Sequence, residues 1–172
     1  ASAAAAQNTG GDVDTETLRQ VLRRAAHHRS YILLNLGFFV CGFHVTFVGV
    51  HLPKHIEDLG QSKQLAAWAL AGIGLFNIAG SFSAGILGQR IGKTRLLSLI
   101  YAGRGLAFLG LLLLPASTAT VLAFSAVMGL LWLSTVPLTS GIVLAQFGLK
   151  HAGTLFGLVF LSHQIGAFVG SY

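Results

Sequence analysis

The sequence predicts an all-α membrane protein. Three observations predict it: charge is scarce, the charges are clumped, and the gaps between clumps match the thickness of a bilayer. Of 172 residues only 9% are charged and 53% are hydrophobic, with a mean hydropathy of +0.72. Soluble chains carry about 25% charged residues and need them to coat their surface. The apolar content excludes disorder, and a single cysteine, Cys41, excludes a disulfide framework. Period-2 alternation is absent and Ala, Leu and Gly dominate, so helices are expected rather than strands.

The elements follow in order. Residues 1–29 are polar: ASAAAAQNTGG reads as a linker and DVDTETLRQVLRRAAHHR as a short basic amphipathic helix. Asp14 or Thr15 is the expected cap, with acidic residues early and Arg19, Arg23 and Arg24 late, as the helix dipole favours. No apolar run there resembles a signal peptide. Beyond Arg29, five stretches each approach the ~20 residues that cross ~30 Å of hydrocarbon. They cover 30–51, 65–88, 96–114, 120–146 and 153–172. Pro115-Ala-Ser-Thr divides the third from the fourth, and Pro137 is expected to kink the fourth.

Lys and Arg set the orientation. With the N-terminus cytoplasmic, eight cations lie inside: Arg19, Arg23, Arg24, Arg29, Arg90, Lys93, Arg95 and Lys150. Lys54 and Lys63 lie outside, and Arg104 alone sits within a span. The pI near 10.1 therefore reports topology, and no nucleic-acid partner is expected. Small residues recur four apart in Gly80/Ala84/Gly88, Gly153/Gly157 and Gly166/Gly170. Such spacings let helix backbones approach closely, which implies a tightly packed bundle. Trp68 is expected at the outer interface.

The loop GILGQRIGKTRLL, residues 85–97, joins the second and third spans in a tight cationic turn. It resembles the signature loop of the major facilitator superfamily, Gly-x-x-x-Asp-Arg-x-Gly-Arg/Lys-x-Arg/Lys. Gly85, Arg90, Gly92, Lys93 and Arg95 match; Gln89 stands where the family usually has Asp. Gln89 can hydrogen-bond but carries no charge, so a strong charged latch between transporter halves is not expected here. The resemblance extends through GFFVCGFHVTFVGVHLPKHIEDLG, GLFNIAGSFSAGILGQR, LIYAGRGLAFLGLLLLP, GLLWLSTVPLTSG and GTLFGLVFLSHQIGAFVG. It is nearest to the C-terminal half of bacterial members related to monocarboxylate and oxalate–formate transporters. It implies helices seven to eleven of twelve, so that residues 30–172 form part of a six-helix half in a bacterial inner membrane. The N-terminal half would then be a partner, beside the lipid bilayer and a small-molecule substrate.

Polar residues at membrane depth carry the functional expectations, because buried charge in hydrocarbon is costly. Arg104 lies nine residues past Arg95, roughly 13 Å into the bilayer. It is either an anchor for an anionic substrate or a structural arginine bonded to carbonyls. Tyr101 and Phe108 share its face. His44 and His163 suit proton relay, or a neutral role across helices. Gln164, Asn77 and Trp132 complete the candidate substrate site, with Ser81, Ser134 and Thr135 nearby; Asn77 and Ser81 also fit as packing glue. Gly85, Gln89, Arg90, Gly92, Lys93 and Arg95 form the candidate gating loop.

Enzyme chemistry is not expected. His51 and His55 have metal-pair spacing, but Pro53 intervenes and no third ligand is near, so neither metal nor cofactor is expected. A serine-protease pair of Ser140 and His163 fails on motif and depth. The reading is a fragment of a secondary transporter, working by alternating access on a small organic anion such as a monocarboxylate, with a proton. Drug or hydrophobic-compound efflux is the competing transport reading, and a non-transporting membrane partner the other.

Overall fold

The computed structural model describes residues 16–172. The linker and the expected cap at Asp14 or Thr15 lie outside the described residues. Every regular element within them is a helix: α1 Leu18–His27, α2 Arg29–Asp58, α3 Lys63–Arg90, α4 Lys93–Leu113, α5 Thr118–Leu131, α6 Thr135–Phe147 and α7 Leu149–Gly170. Five stretches are long and apolar enough to cross a membrane, with α5 and α6 counting together as Thr118–Phe147. The chain is a multi-pass membrane protein. Several helices outrun the expected apolar limits; α2, at 30 residues, spans about 45 Å.

Local chemistry explains the ends. Thr17 caps α1, its N–H donating to Gln20 Oε1 at 2.9 Å. Ser62 and Ser117 cap α3 and α5 by accepting from Leu65 and Thr120 N–H, each at 3.2 Å. Gly92 (φ +86°) and Gly148 (φ +76°) start α4 and α7 in a left-handed conformation that a side chain would strain. α1 lies across one end of the bundle. Val21 and Ala25 are buried, Arg24 pairs with Glu16 at 2.7 Å, and its guanidinium stands over the Phe147 ring.

The fourth span is not merely kinked at Pro137. It is broken upstream, across Trp132–Ser134, and Pro137 is the third residue of α6. Proline lacks an N–H, and its ring excludes the carbonyl four residues back, which is Leu133. The helix therefore stops one turn before the proline and restarts at Thr135.

Close packing follows glycine, though not at every expected pair. A Cβ at Gly42 would collide with the His163 carbonyl, and one at Gly166 with that of Phe39. Gly170 meets the Phe43 carbonyl in the same seam, so α2 and α7 touch backbone to backbone. Gly80 and Gly129 do the same between α3 and α5, against the carbonyls of Leu130 and Ile73. Gly153 and Gly157 do not join: a Cβ on either would meet no other helix within 4 Å. Their face of α7 points away from α2, because the Gly166/Gly170 stripe already fixes which face turns inward.

The helices enclose two apolar cores at opposite ends. One, near α1, gathers Phe38, Leu97, Ile100, Leu138, Phe147, Leu155 and Val159. The other gathers Val48, Leu52, Ile56, Ala69, Ile73, Phe124 and Met128. Each helix that reaches both cores carries polar groups between them.

Candidate functional site

That intermediate layer is where the sequence's polar residues meet. Arg104 projects from α4 between core residues Ile100 and Phe108, and it is fully buried (0% exposed). Its neighbour is the break in the fourth span. When a helix stops, its last carbonyls lose their intrahelical partners. Arg104 takes them: Nε–H and Nη2–H donate to the Leu131 carbonyl at 3.2 and 2.6 Å, and Nη2 also donates to the Trp132 carbonyl. Nη1 donates to Cys41 Sγ at 3.1 Å, and the guanidinium lies 5.6 Å from the Tyr101 ring centre. A cation at the C-terminal end of α5 also complements the negative end of that helix's dipole.

Carbonyls and a thiol solvate the guanidinium without neutralising it. Among the described residues, the acidic side chains are Glu16, Glu57 and Asp58, all toward the ends of the bundle. The layer therefore holds a positive charge without a carboxylate beside it.

The other expected residues divide clearly. His163, 8% exposed, approaches the Cys41 thiol from α7, lies flat on Phe160 at 5.3 Å, and has Nδ1 3.2 Å from Gln164 Oε1. Trp132 joins through its carbonyl, while its side chain packs on the core distant from α1. Asn77 acts at the break itself: its Oδ1 accepts the Leu133 N–H at 3.0 Å and the Ser81 hydroxyl at 3.3 Å. Ser134 Oγ donates to the Leu130 carbonyl at 2.6 Å, closing the last turn of α5. His44 does not touch this cluster through a hydrogen bond; its ring lies 5.0 Å from Phe108 and its buried Nδ1 has no partner. Phe108 accordingly faces His44 and Phe124 instead of walling Arg104, a part that Tyr101 alone plays.

Cys41 is the member that sequence reasoning did not place; Thr135, expected beside the candidate site, meets it there. Cys41 Sγ lies 3.5 Å from Thr135 Oγ1 and is the point where α2, α4, α6 and α7 converge. A signal existed for the break: Pro137 frees carbonyls one turn upstream, at the depth where Arg104 has no other evident partner. Nothing in the sequence marked the cysteine.

The loop at residues 85–95 sits at the α1 end, away from the layer. Gln89, Arg90 and Arg95 are exposed, and Gly85 has open space beside it. Lys93 lies across to α6, where a Cβ on Gly141 would stand 2.7 Å from its Cε. Gly88 admits Leu138, whose Cδ2 would be 2.5 Å from a Cβ there. The loop thus ties α3 and α4 to α6, on the far side of the break from α5. Ser140 donates only to the Pro137 carbonyl, at 3.2 Å.

Comparison with known proteins bears on the family of the chain. The sequence profile of the Major Facilitator Superfamily matches residues 3–171. A Bacillus subtilis (strain 168) protein, named as the uncharacterized MFS-type transporter YcxA, is 27% identical over 145 residues, covering 81% of this chain and 35% of the relative. The chain spans about a third of that relative's length. No solved structure matches the chain.

Proposed function

The chain belongs to the major facilitator superfamily, and on that premise we propose that it forms part of a secondary transporter that moves a small organic anion, such as a monocarboxylate, together with a proton. One observation carries this: a fully buried guanidinium at mid-depth, with no acidic side chain beside it among the described residues. Uncompensated charge in a low-dielectric interior is costly, and an anion that enters the layer relieves it. The broken helix supports the same reading. Discontinuous helices bring free backbone groups to the middle of a transporter, where substrate and coupling ions are handled.

In this mechanism the chain belongs to one half of a rocking pair, and a partner half closes the site from the other side. Gln89, Arg90 and Arg95, exposed at the α1 end, face that partner in the state closed toward the cytoplasm. His163, beside the Cys41 thiol and Gln164, holds the coupled proton. The cationic end, with α1 and the 90–95 loop, faces the cytoplasm of a bacterial cell, as the distribution of Lys and Arg favours.

The test is uptake into proteoliposomes made from the full-length protein. Labelled acetate, lactate, pyruvate and oxalate are offered with and without an inward proton gradient. The proposal expects saturable uptake of at least one acid, stimulated by the gradient and uncoupled from it in His163→Gln. Absence of flux for every acid, beside measurable flux of a hydrophobic cation, would overturn it.

A further inference from the structure

A second set of unpartnered groups lies outside the polar layer. Between α2, α4 and α5, in the half of the bundle distant from α1, the helices leave a cavity of about 350 Å³. That volume is within the range of about 300–1,000 Å³ of small-molecule sites. Phe47, Phe108, Leu111 and Phe124 form its apolar walls, and His51 and His55, one turn apart on α2, supply its imidazoles. His51 Nε2 is buried there without a hydrogen-bond partner. Two turns deeper, His44 Nδ1 is buried in the same condition, against the Phe108 wall. A buried ring nitrogen left unpaired is unfavourable, and a ligand group that pairs with it binds the more tightly for that reason.

The lining selects among ligands. It contains no Asp or Glu, so an amine entering it meets no counter-charge. Lys54, on the same helix, is exposed and paired with Asp58 at 2.6 Å, and Arg104 is committed to the layer below. An acid group, by contrast, pairs with imidazole as donor or acceptor.

We infer that this cavity binds a hydrophobic organic acid, its apolar body between the phenylalanine and leucine walls and its acid group on His51 Nε2. A water-borne arylalkanoic acid and a lipid-derived medium-chain acid present the same chemistry. The inference goes beyond the transport reading, because it adds a second, apolar site outside the layer that holds Arg104. It is read by binding without flux, so the two can fail separately.

The experiment uses the full-length protein in phosphatidylcholine nanodiscs, with labelled 4-phenylbutyrate as the probe and 4-phenylbutylamine and decanoate as competitors. Saturable binding is expected, weakened about tenfold in His51→Phe, the loss of one hydrogen bond in a buried site. Leu112→Trp, at an exposed rim position (70% exposed), blocks the cavity and weakens binding likewise without touching the core. Should His51→Phe fail to fold, Leu112→Trp decides alone. Displacement by decanoate extends the site to lipid-derived acids, and failure to displace restricts it to water-borne ones; either supports an acid site. No saturable binding, binding indifferent to both variants, or equal competition by the amine would overturn the inference.

Discussion

At the scale of residues, Arg104 fills the structural one of the two roles that the sequence offered, and the proposed transport assigns it the other as well. Its hydrogen bonds make it the cap of α5, while its charge, which those bonds leave intact, gives the layer its sign. Arg104→Ala is expected to destabilise the fold by about 3–5 kcal/mol, because two carbonyls and a thiol lose a shared buried partner. Asn77→Ala removes the acceptor of the Leu133 N–H and costs about 1–3 kcal/mol. Thermal unfolding in detergent checks both, and an Asn77→Ala protein that melts like wild type would refute the bridge. The depth of Arg104 was legible in the sequence because the clumped charges fixed the bilayer around it. Its partners were not, since they are main-chain carbonyls exposed only by a break elsewhere. Cys41 was unreadable for a related reason: its importance lies in where four helices converge, which a single apolar-looking position does not advertise.

At the scale of elements, Pro137 and the glycine seams decide the architecture. Pro137→Ala restores an N–H and lets the helix close across 132–134, drawing the Leu131 and Trp132 carbonyls away from Arg104. Hydrogen exchange should then slow at residues 133–137 while uptake falls; unchanged exchange would contradict the proline's part in the break. The glycine seams predict a contrast within one helix. Gly166→Ala forces α7 off the Phe39 carbonyl and costs about 1–3 kcal/mol, whereas Gly153→Ala, facing open space, is neutral or slightly stabilising. Melting temperatures of the two variants check this, and equal values would refute the α2–α7 contact. The small-residue spacing identified three candidate seams in the sequence, and two of them pack. Spacing cannot tell which face of α7 turns inward, because Gly153/Gly157 and Gly166/Gly170 are equally good four-residue pairs.

At the scale of the whole molecule, two apolar cores hold a polar layer between them, and the cations gather at the α1 end. If that end is cytoplasmic, Lys63→Cys should react in intact cells with a membrane-impermeant maleimide and Arg90→Cys should not. Native Cys41, fully buried, adds little background from this chain. The reverse pattern would invert the orientation. The five spans were legible because bilayer thickness and charge clumping are properties of the sequence itself. The layer was half legible: its residues stood out as polar, but which of them meet depends on how the helices pack. The most direct measurement compares organic-anion uptake by Arg104→Gln and Arg104→Lys in the full-length protein. Gln retains a donor for the carbonyls and loses the charge, whereas Lys retains the charge and loses the planar fork. The account predicts that Arg104→Gln folds yet loses about tenfold or more in kcat/KM for anion uptake, while Arg104→Lys keeps the larger share. Normal uptake by Arg104→Gln would contradict it, and would leave the arginine as the cap of a broken helix with no part in transport.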